Sequence, residues 1–211
     1  MEYLKKSSVC LLLFIFFISA GCSSKQADNP TISINKDSDY ENTFSDLNLG
    51  VIFDFNFRLP HADDRWVNLW VDRYKDGEKD AKPVVQLSYG NSPKELMEGP
   101  LGLGMINPNT EETSVFLYGP GVKSAPKLIE KEPQTDRISS WDYGIGEEEI
   151  ELKLGETKRL AIYRETEGNS LRTVDLQDED AVNRLIEKGD TVYLLKIMVD
   201  ESGPESGPVP Q

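Results

Sequence analysis

The chain has a single histidine, His61, so any catalytic dyad or triad built on imidazole must use it. It lies in Leu59-Pro60-His61-Ala62-Asp63-Asp64. There His61, Asp63 and Asp64 could ligate a metal ion or form an acid–base pair. Asp54 and Asp72 on flanking segments could complete an envelope hydrolase, small-ligand or metal site. A polar loop between two strands accounts for the same residues, and separations of two and three residues in a loop do not set ligand geometry. The two cysteines, Cys10 and Cys22, are too few for the common sulfur- and imidazole-rich zinc sites. Asp76-Gly77-Glu78-Lys79-Asp80 has acids but not the spacing of a calcium loop. No metal and no cofactor are expected.

Other candidates read as structure. Gly99-Pro100-Leu101-Gly102-Leu103-Gly104, Gly119-Pro120-Gly121 and Gly144-Ile145-Gly146 do not lead from a parallel strand into a helix with Lys-Ser/Thr, so they are expected to be turns rather than phosphate cradles. Glu147-Glu148-Glu149 are adjacent, which does not set the separation that paired glycosidase carboxylates need. Trp66, Trp70 and Tyr74 share one face of a period-2 run. Open to solvent, that face would stack a sugar or dock a protein; between two layers it would be packing.

These residues must be positioned by strands. Val51, Phe53, Phe55, Phe57 and Leu59 alternate with Ile52, Asp54, Asn56 and Arg58, which is the period of a strand with one buried face. Trp66–Tyr74 repeats the pattern with Val67, Leu69 and Val71, and Asp76-Gly77 predicts a hairpin to Pro83–Tyr89. Further runs occur at Leu103–Ile106, Ser114–Tyr118, Lys127–Ile129, Leu171–Leu176 and Thr191–Val199. Ile150–Leu154 and Arg159–Arg164 read as a hairpin about Gly155-Glu156. One short helix near the C-terminus is predicted after Asp178, with Ala181, Val182, Leu185 and Ile186 on its apolar face and Gly189 beyond its end. Many short strands between turn signals predict a mainly β, antiparallel sandwich of immunoglobulin-like or jelly-roll type. Leu152–Lys158 is similar to a turn of immunoglobulin-like bacterial domains.

Net charge is −14 over 211 residues, which makes nucleic acid and anionic lipid headgroups poor partners. Any membrane attachment must then come from a dedicated anchor. Lys5 and Lys6 precede an apolar run, densest over Val9–Ile18, that is followed by Ser19, Ala20 and Gly21. A charged start, a short apolar region and small residues are the order of an export signal. Ser19-Ala20-Gly21-Cys22 resembles the lipobox of bacterial lipoprotein precursors, with Ser19 where that family usually has Leu, Val or Ile. The resemblance implies cleavage between Gly21 and Cys22, and diacylglycerol on the Cys22 sulfur, with further acylation such as palmitate. It covers only this N-terminal signal. Each buried CH₂ contributes about 0.8 kcal/mol, so two chains hold where one does not.

The expected layout is a signal peptide over 1–21, a flexible lipid-anchored tether over 22–45, a β-sandwich over 46–201 and a disordered tail over 202–211. Thr31–Ile34 is the one candidate strand in the tether. The expected protein is a lipid-anchored domain on the outer face of a bacterial cell membrane. It is expected to be non-enzymatic and to bind an envelope protein, a glycan or another extracellular partner, with Trp66, Trp70 and Tyr74 as the candidate contact.

Overall fold

The computed structural model describes residues 29–131, 137–168, 170–171, 174–188 and 191–201. The expected signal peptide with Gly21 and Cys22, the first part of the expected tether and the expected tail at 202–211 lie outside the described residues. The expected architecture is present: the protein is mainly β, with two antiparallel sheets packed face to face.

The first sheet contains β1 (Thr31–Ile34), β2 (Gly50–Pro60), β6 (Leu96–Ile106), β7 (Glu112–Gly119), β8 (Val122–Lys123), β9 (Lys127–Glu130) and β11 (Ile150–Glu151). Its order is β11-β1-β2-β6-β7-β8, with β9 also on β7. The second contains β3 (Trp66–Lys75), β4 (Glu78–Lys79), β5 (Val85–Gly90), β10 (Arg137–Tyr143), β12 (Lys158–Glu167) and β13 (Thr191–Asp200). Its order is β10-β12-β13-β3-β4, with β5 also on β3. Two helices are described, α1 (Asp39–Asp46) and α2 (Glu179–Glu187).

The alternation in β2 and β3 builds the core. Phe53, Phe55, Phe57, Leu59, Val67, Leu69 and Val71 face inward with Leu101, Leu103, Met105, Val115, Leu117, Tyr163, Tyr193 and Leu195. Asp76-Gly77 turns the chain with φ of 53° and 82°, which matches the twist of its strands, and Glu78 pairs Lys75 directly. The strand breaks after Lys79 and resumes at Val85 opposite Val71. α2 starts as predicted, with Asp178 accepting from the Asp180 and Ala181 N–H groups. Val182, Leu185 and Ile186 cover Ile162, Val192 and Leu194 on the outer face of the second sheet.

Several expectations are corrected. Within the expected tether of 22–45, the candidate strand Thr31–Ile34 is present as β1, while the segment after it, expected as flexible, forms α1. β1 pairs β2 from Thr31 opposite Arg58 to Ile34 opposite Phe55, so backbone pairing and the buried Ile32 order it. α1 opens on a capping pattern: Ser38 accepts from the Glu41 N–H, and the Glu41 carboxylate accepts from the Asp37 N–H. Ile150–Leu154 and Arg159–Arg164 do not form a hairpin. The turn is present, but β11 joins β1 in the first sheet while β12 lies between β10 and β13 in the second. The described part of Leu171–Leu176 carries no strand; Val174 and Leu176 pack against the α2 cluster instead.

Gly99–Gly104 is not a turn. It belongs to an eleven-residue strand, Leu96–Ile106, paired to β2 along its whole length. Leu101, Leu103 and Met105 enter the core while Gly102 and Gly104 face out. The outward glycines leave room for rings. A Cβ on Gly104 would lie 2.3 Å from Phe116 Cζ, and one on Gly102 would lie 2.5 Å from the Tyr118 hydroxyl.

A candidate binding groove

α1 lies along the outer face of the first sheet and buries none of its own residues. Tyr40 and Phe44 are four residues apart, so they project from one side of the helix about 6 Å apart. Phe116 and Tyr118 are two residues apart on β7 and point to one face of the sheet at nearly the same spacing. The two pairs meet. Tyr40 stands edge-on to Tyr118 with centroids 5.5 Å apart, and Phe44 tilts over Phe116 at 6.4 Å. Phe116 and Tyr118 complete the row at 6.3 Å.

Between helix and sheet runs a groove of about 500 Å³, walled by these rings with Ile52, Pro100, Val122 and Lys123. Tyr40, on the rim, remains 47% exposed, so the groove is open to solvent at that end.

Below the rings lies a polar floor. Asp54 is fully buried on the outer face of β2. Its Oδ1 accepts from the Tyr118 hydroxyl at 2.8 Å and its Oδ2 from the Asn35 amide at 2.9 Å. Tyr143 reaches the same edge, accepting from the Asp54 N–H at 3.4 Å and donating to Glu41 Oε1 at 3.4 Å. Burial first, then the Asp54 carboxylate, pushes the Tyr118 hydroxyl far above the usual tyrosine range. Burial likewise raises Tyr143. Both stay protonated donors, so this network fixes rings and does not supply a general base.

The residues singled out by the sequence fall elsewhere. His61–Asp64 is a tight turn, with φ of 50° at His61 and the Asp64 N–H bonded to the His61 carbonyl at 3.1 Å. Arg65, 7% exposed, braces it by donating to the Pro60 carbonyl at 2.9 Å. The side chains of His61, Asp63 and Asp64 are exposed. Asp54 lies roughly 20 Å back along β2 from that turn. Asp72 is buried on the outer face of the other sheet, with Lys196 Nζ at 2.9 Å and Lys79 Nζ at 3.2 Å from Oδ2. The five groups expected to form one site are therefore split among two opposite faces and an end turn. Among the described residues no group of three or more His, Cys, Asp or Glu could hold a metal ion.

Trp66, Trp70 and Tyr74 do share the face opposite Val67, Leu69 and Val71, but they are not an open strip. Trp70 is 4% exposed, flanked by Lys196 and Gln86 directly across the strand pairs. Tyr74 packs on the α2 cluster with the Lys196 amine 5.9 Å above its ring.

A second cavity, about 720 Å³, opens at the end of the sandwich where β6 turns into β7. Its floor is an ion-paired cluster. Lys131 and Arg137 both contact Glu165, and Lys131 also donates to the Pro108 carbonyl. Lys131 and Glu165 side chains are only 6% and 4% exposed. Burial is the largest influence on the Lys131 amine and pulls it below its ordinary value. Each group is matched within the cluster, which makes it a tie between the two sheets.

No protein-family model, curated protein or solved structure matches this chain.

Proposed function

We propose that the protein is a lipid-anchored, extracytoplasmic binding module that captures an envelope or extracellular partner in the aromatic groove between α1 and the first sheet. The observation that carries this reading is the groove itself: four rings from helix and strand line an open channel beneath a helix that buries none of its residues. Tyr40 is exposed while Phe44 and Phe116 are half-buried and Tyr118 is buried behind them, an apolar groove with an accessible aromatic rim of the kind that binding sites use. Support for the anchor comes from the sequence order Lys5-Lys6, apolar run, Ser19-Ala20-Gly21-Cys22.

With Cys22 lipidated, the leash is short. From Cys22 to Asn29 the chain can span at most about 25 Å. The end of the sandwich nearest Thr31, with the His61 turn, then faces the membrane, and α1 runs from the middle of β2 toward the far end. The groove opens sideways on a domain held close to the bilayer.

In-cell crosslinking of the full-length protein tests the reading, with Cys22→Ala and Tyr40→Ala/Phe44→Ala as comparisons. One reproducible envelope partner, lost with both variants, is expected. Undiminished capture by Tyr40→Ala/Phe44→Ala would remove the groove from the reading. Absence of a lipid mass on Cys22 in the purified protein would remove the anchor.

A further inference from the structure

Separately from the groove, we infer a carbohydrate site at the rim of the second cavity, built on Trp141 and taking a neutral oligosaccharide of β-linked glucose-type rings. Trp141 lies on β10, the edge strand of the second sheet. Its ring is 19° from parallel to that of Tyr163, with centroids 6.4 Å apart, yet the residue stays 53% exposed. Tyr163 is buried, and its hydroxyl is held by the Pro108 carbonyl at 3.4 Å and Glu165 Oε1 at 3.2 Å. Trp141 is thus backed by fixed core on one side. No described strand pairs β10 beyond it, so its other side is open. An exposed apolar residue alone calls for no explanation. A flat ring held rigid beside a polar cleft does.

The cleft supplies the other half of the recognition. Arg137, Ser139 and Trp141 alternate along one face of β10, so Ser139 is about 7 Å from Trp141 along the strand. Ser139 and Arg137 line the cleft, and the β6–β7 turn brings Asn109, Glu111 and Glu112 to it, all three exposed. The Ser139 hydroxyl donates to Asn109 Oδ1 at 3.1 Å. That bond fixes the amide, with its oxygen toward β10 and its NH₂ as the donor offered to a ligand. The two glutamates are acceptors.

A pyranose complements both halves. Its C–H face stacks on an aromatic ring, and its hydroxyls, each donor and acceptor, need the mixed partners the cleft presents. In a β-linked glucose-type chain the ring substituents are equatorial, which leaves the flattest C–H faces for a planar indole. With one ring on Trp141, the next extends over Ser139 toward Asn109. Uronic or phosphorylated chains are disfavoured: Lys131 and Arg137 are paired with Glu165, while Glu111 and Glu112 stand on the rim of a chain of net charge −14.

The test uses the full-length protein in amine-oxide micelles, which carry no sugar headgroup, with calorimetry and tryptophan fluorescence. The probes are cellotetraose, the N-acetylglucosamine tetramer, tetragalacturonate and sorbitol. Both neutral tetramers are expected to bind and to shift the emission to the blue, since Trp141 is the exposed tryptophan while Trp70 is buried and Trp66 half-buried. Trp141→Phe, which keeps a flat ring, is expected to bind within about threefold of the parent, and Trp141→Leu about tenfold more weakly or worse. Asn109→Ala, in the exposed turn, should weaken binding about threefold with an unchanged melting temperature. Tyr40→Ala/Phe44→Ala should bind the tetramers as the parent does. Trp141→Phe as weak as Trp141→Leu, with both melting like the parent, overturns the stacking platform. Tetragalacturonate or sorbitol binding as well as the neutral tetramers overturns the ligand class. Loss of sugar binding in Tyr40→Ala/Phe44→Ala moves the sugar to the groove and overturns this site. No binding of either neutral tetramer at about 10 mM overturns the inference and leaves the groove reading to its own crosslinking test.

Discussion

Gly102→Ala is the perturbation that tests most directly how the groove is built. A glycine replaced by alanine in ordinary strand geometry gains about 0.4–1 kcal/mol, because the unfolded chain loses freedom. At Gly102 the added Cβ would lie 1.9 Å from the Phe53 carbonyl oxygen and 2.5 Å from the Tyr118 hydroxyl. The first contact is with backbone in the centre of the β2–β6 pair, so no rotamer relieves it. Overpacking of this kind costs about 1–3 kcal/mol. The second contact pushes Tyr118 off Asp54, and a hydrogen bond to a charged group contributes about 1.5–3 kcal/mol. The net expectation is a loss of about 3 kcal/mol, or a melting temperature lower by roughly 6–12 °C for a domain of this size. Gly104→Ala is the comparison: the nearest atoms to its Cβ are at the far end of the Phe116 ring, a side chain that can turn toward the groove, rather than backbone. It should cost under about 1 kcal/mol while narrowing the groove. Urea and thermal unfolding of both variants, each with and without Tyr118→Phe, measures the terms. Gly102→Ala within about 0.5 kcal/mol of the parent, or no more costly than Gly104→Ala, would refute the argument.

Three further outcomes follow from the same physics. Glu165→Ala leaves Lys131 buried at 6% side-chain exposure without its carboxylate, and should cost about 3–5 kcal/mol in urea unfolding. Asp178→Ala removes the cap of α2 and should cost about 1 kcal/mol, with faster amide exchange at the first turn of the helix. Burial pushes the Tyr193 hydroxyl up to about 12, so in the folded protein it holds its proton after the unfolded chain has released it. Its contribution is therefore full below the ordinary tyrosine value and is lost as pH rises through the folded one. By pH 11 that is about 1.4 kcal/mol from Tyr193 alone. Unfolding curves at pH 9 and 11, with tyrosinate absorbance, check it; equal stability at both would refute it.

The strands were legible wherever the period-2 text was clean. β2 and β3 have one face of Phe, Val and Leu, and only one register buries it. The Asp178 cap and the Asp76-Gly77 turn could be read for a similar reason, since their chemistry is local. α1 was legible too, in Ser38-Asp39-Tyr40-Glu41, but its polar composition matched that of a tether. β6 was hidden because its outward positions are glycines, and Gly-Pro text reads as turn unless the alternating Leu101, Leu103 and Met105 are weighed.

By itself, then, the sequence determined the β alternation, the acidic surface, the single histidine and the N-terminal signal pattern, since each is a property of composition or near neighbours. Which strands share a sheet was decided by tertiary structure alone: β11 and β12 are close in the chain yet belong to opposite layers. So was the groove. Tyr40 and Phe44 come from a helix, and Phe116 and Tyr118 from a strand more than seventy residues later. Asp54 and the space over Gly102 and Gly104 come from two more strands. No local pattern relates such residues, because their meeting is fixed by long-range strand pairing and by the burial of a common core.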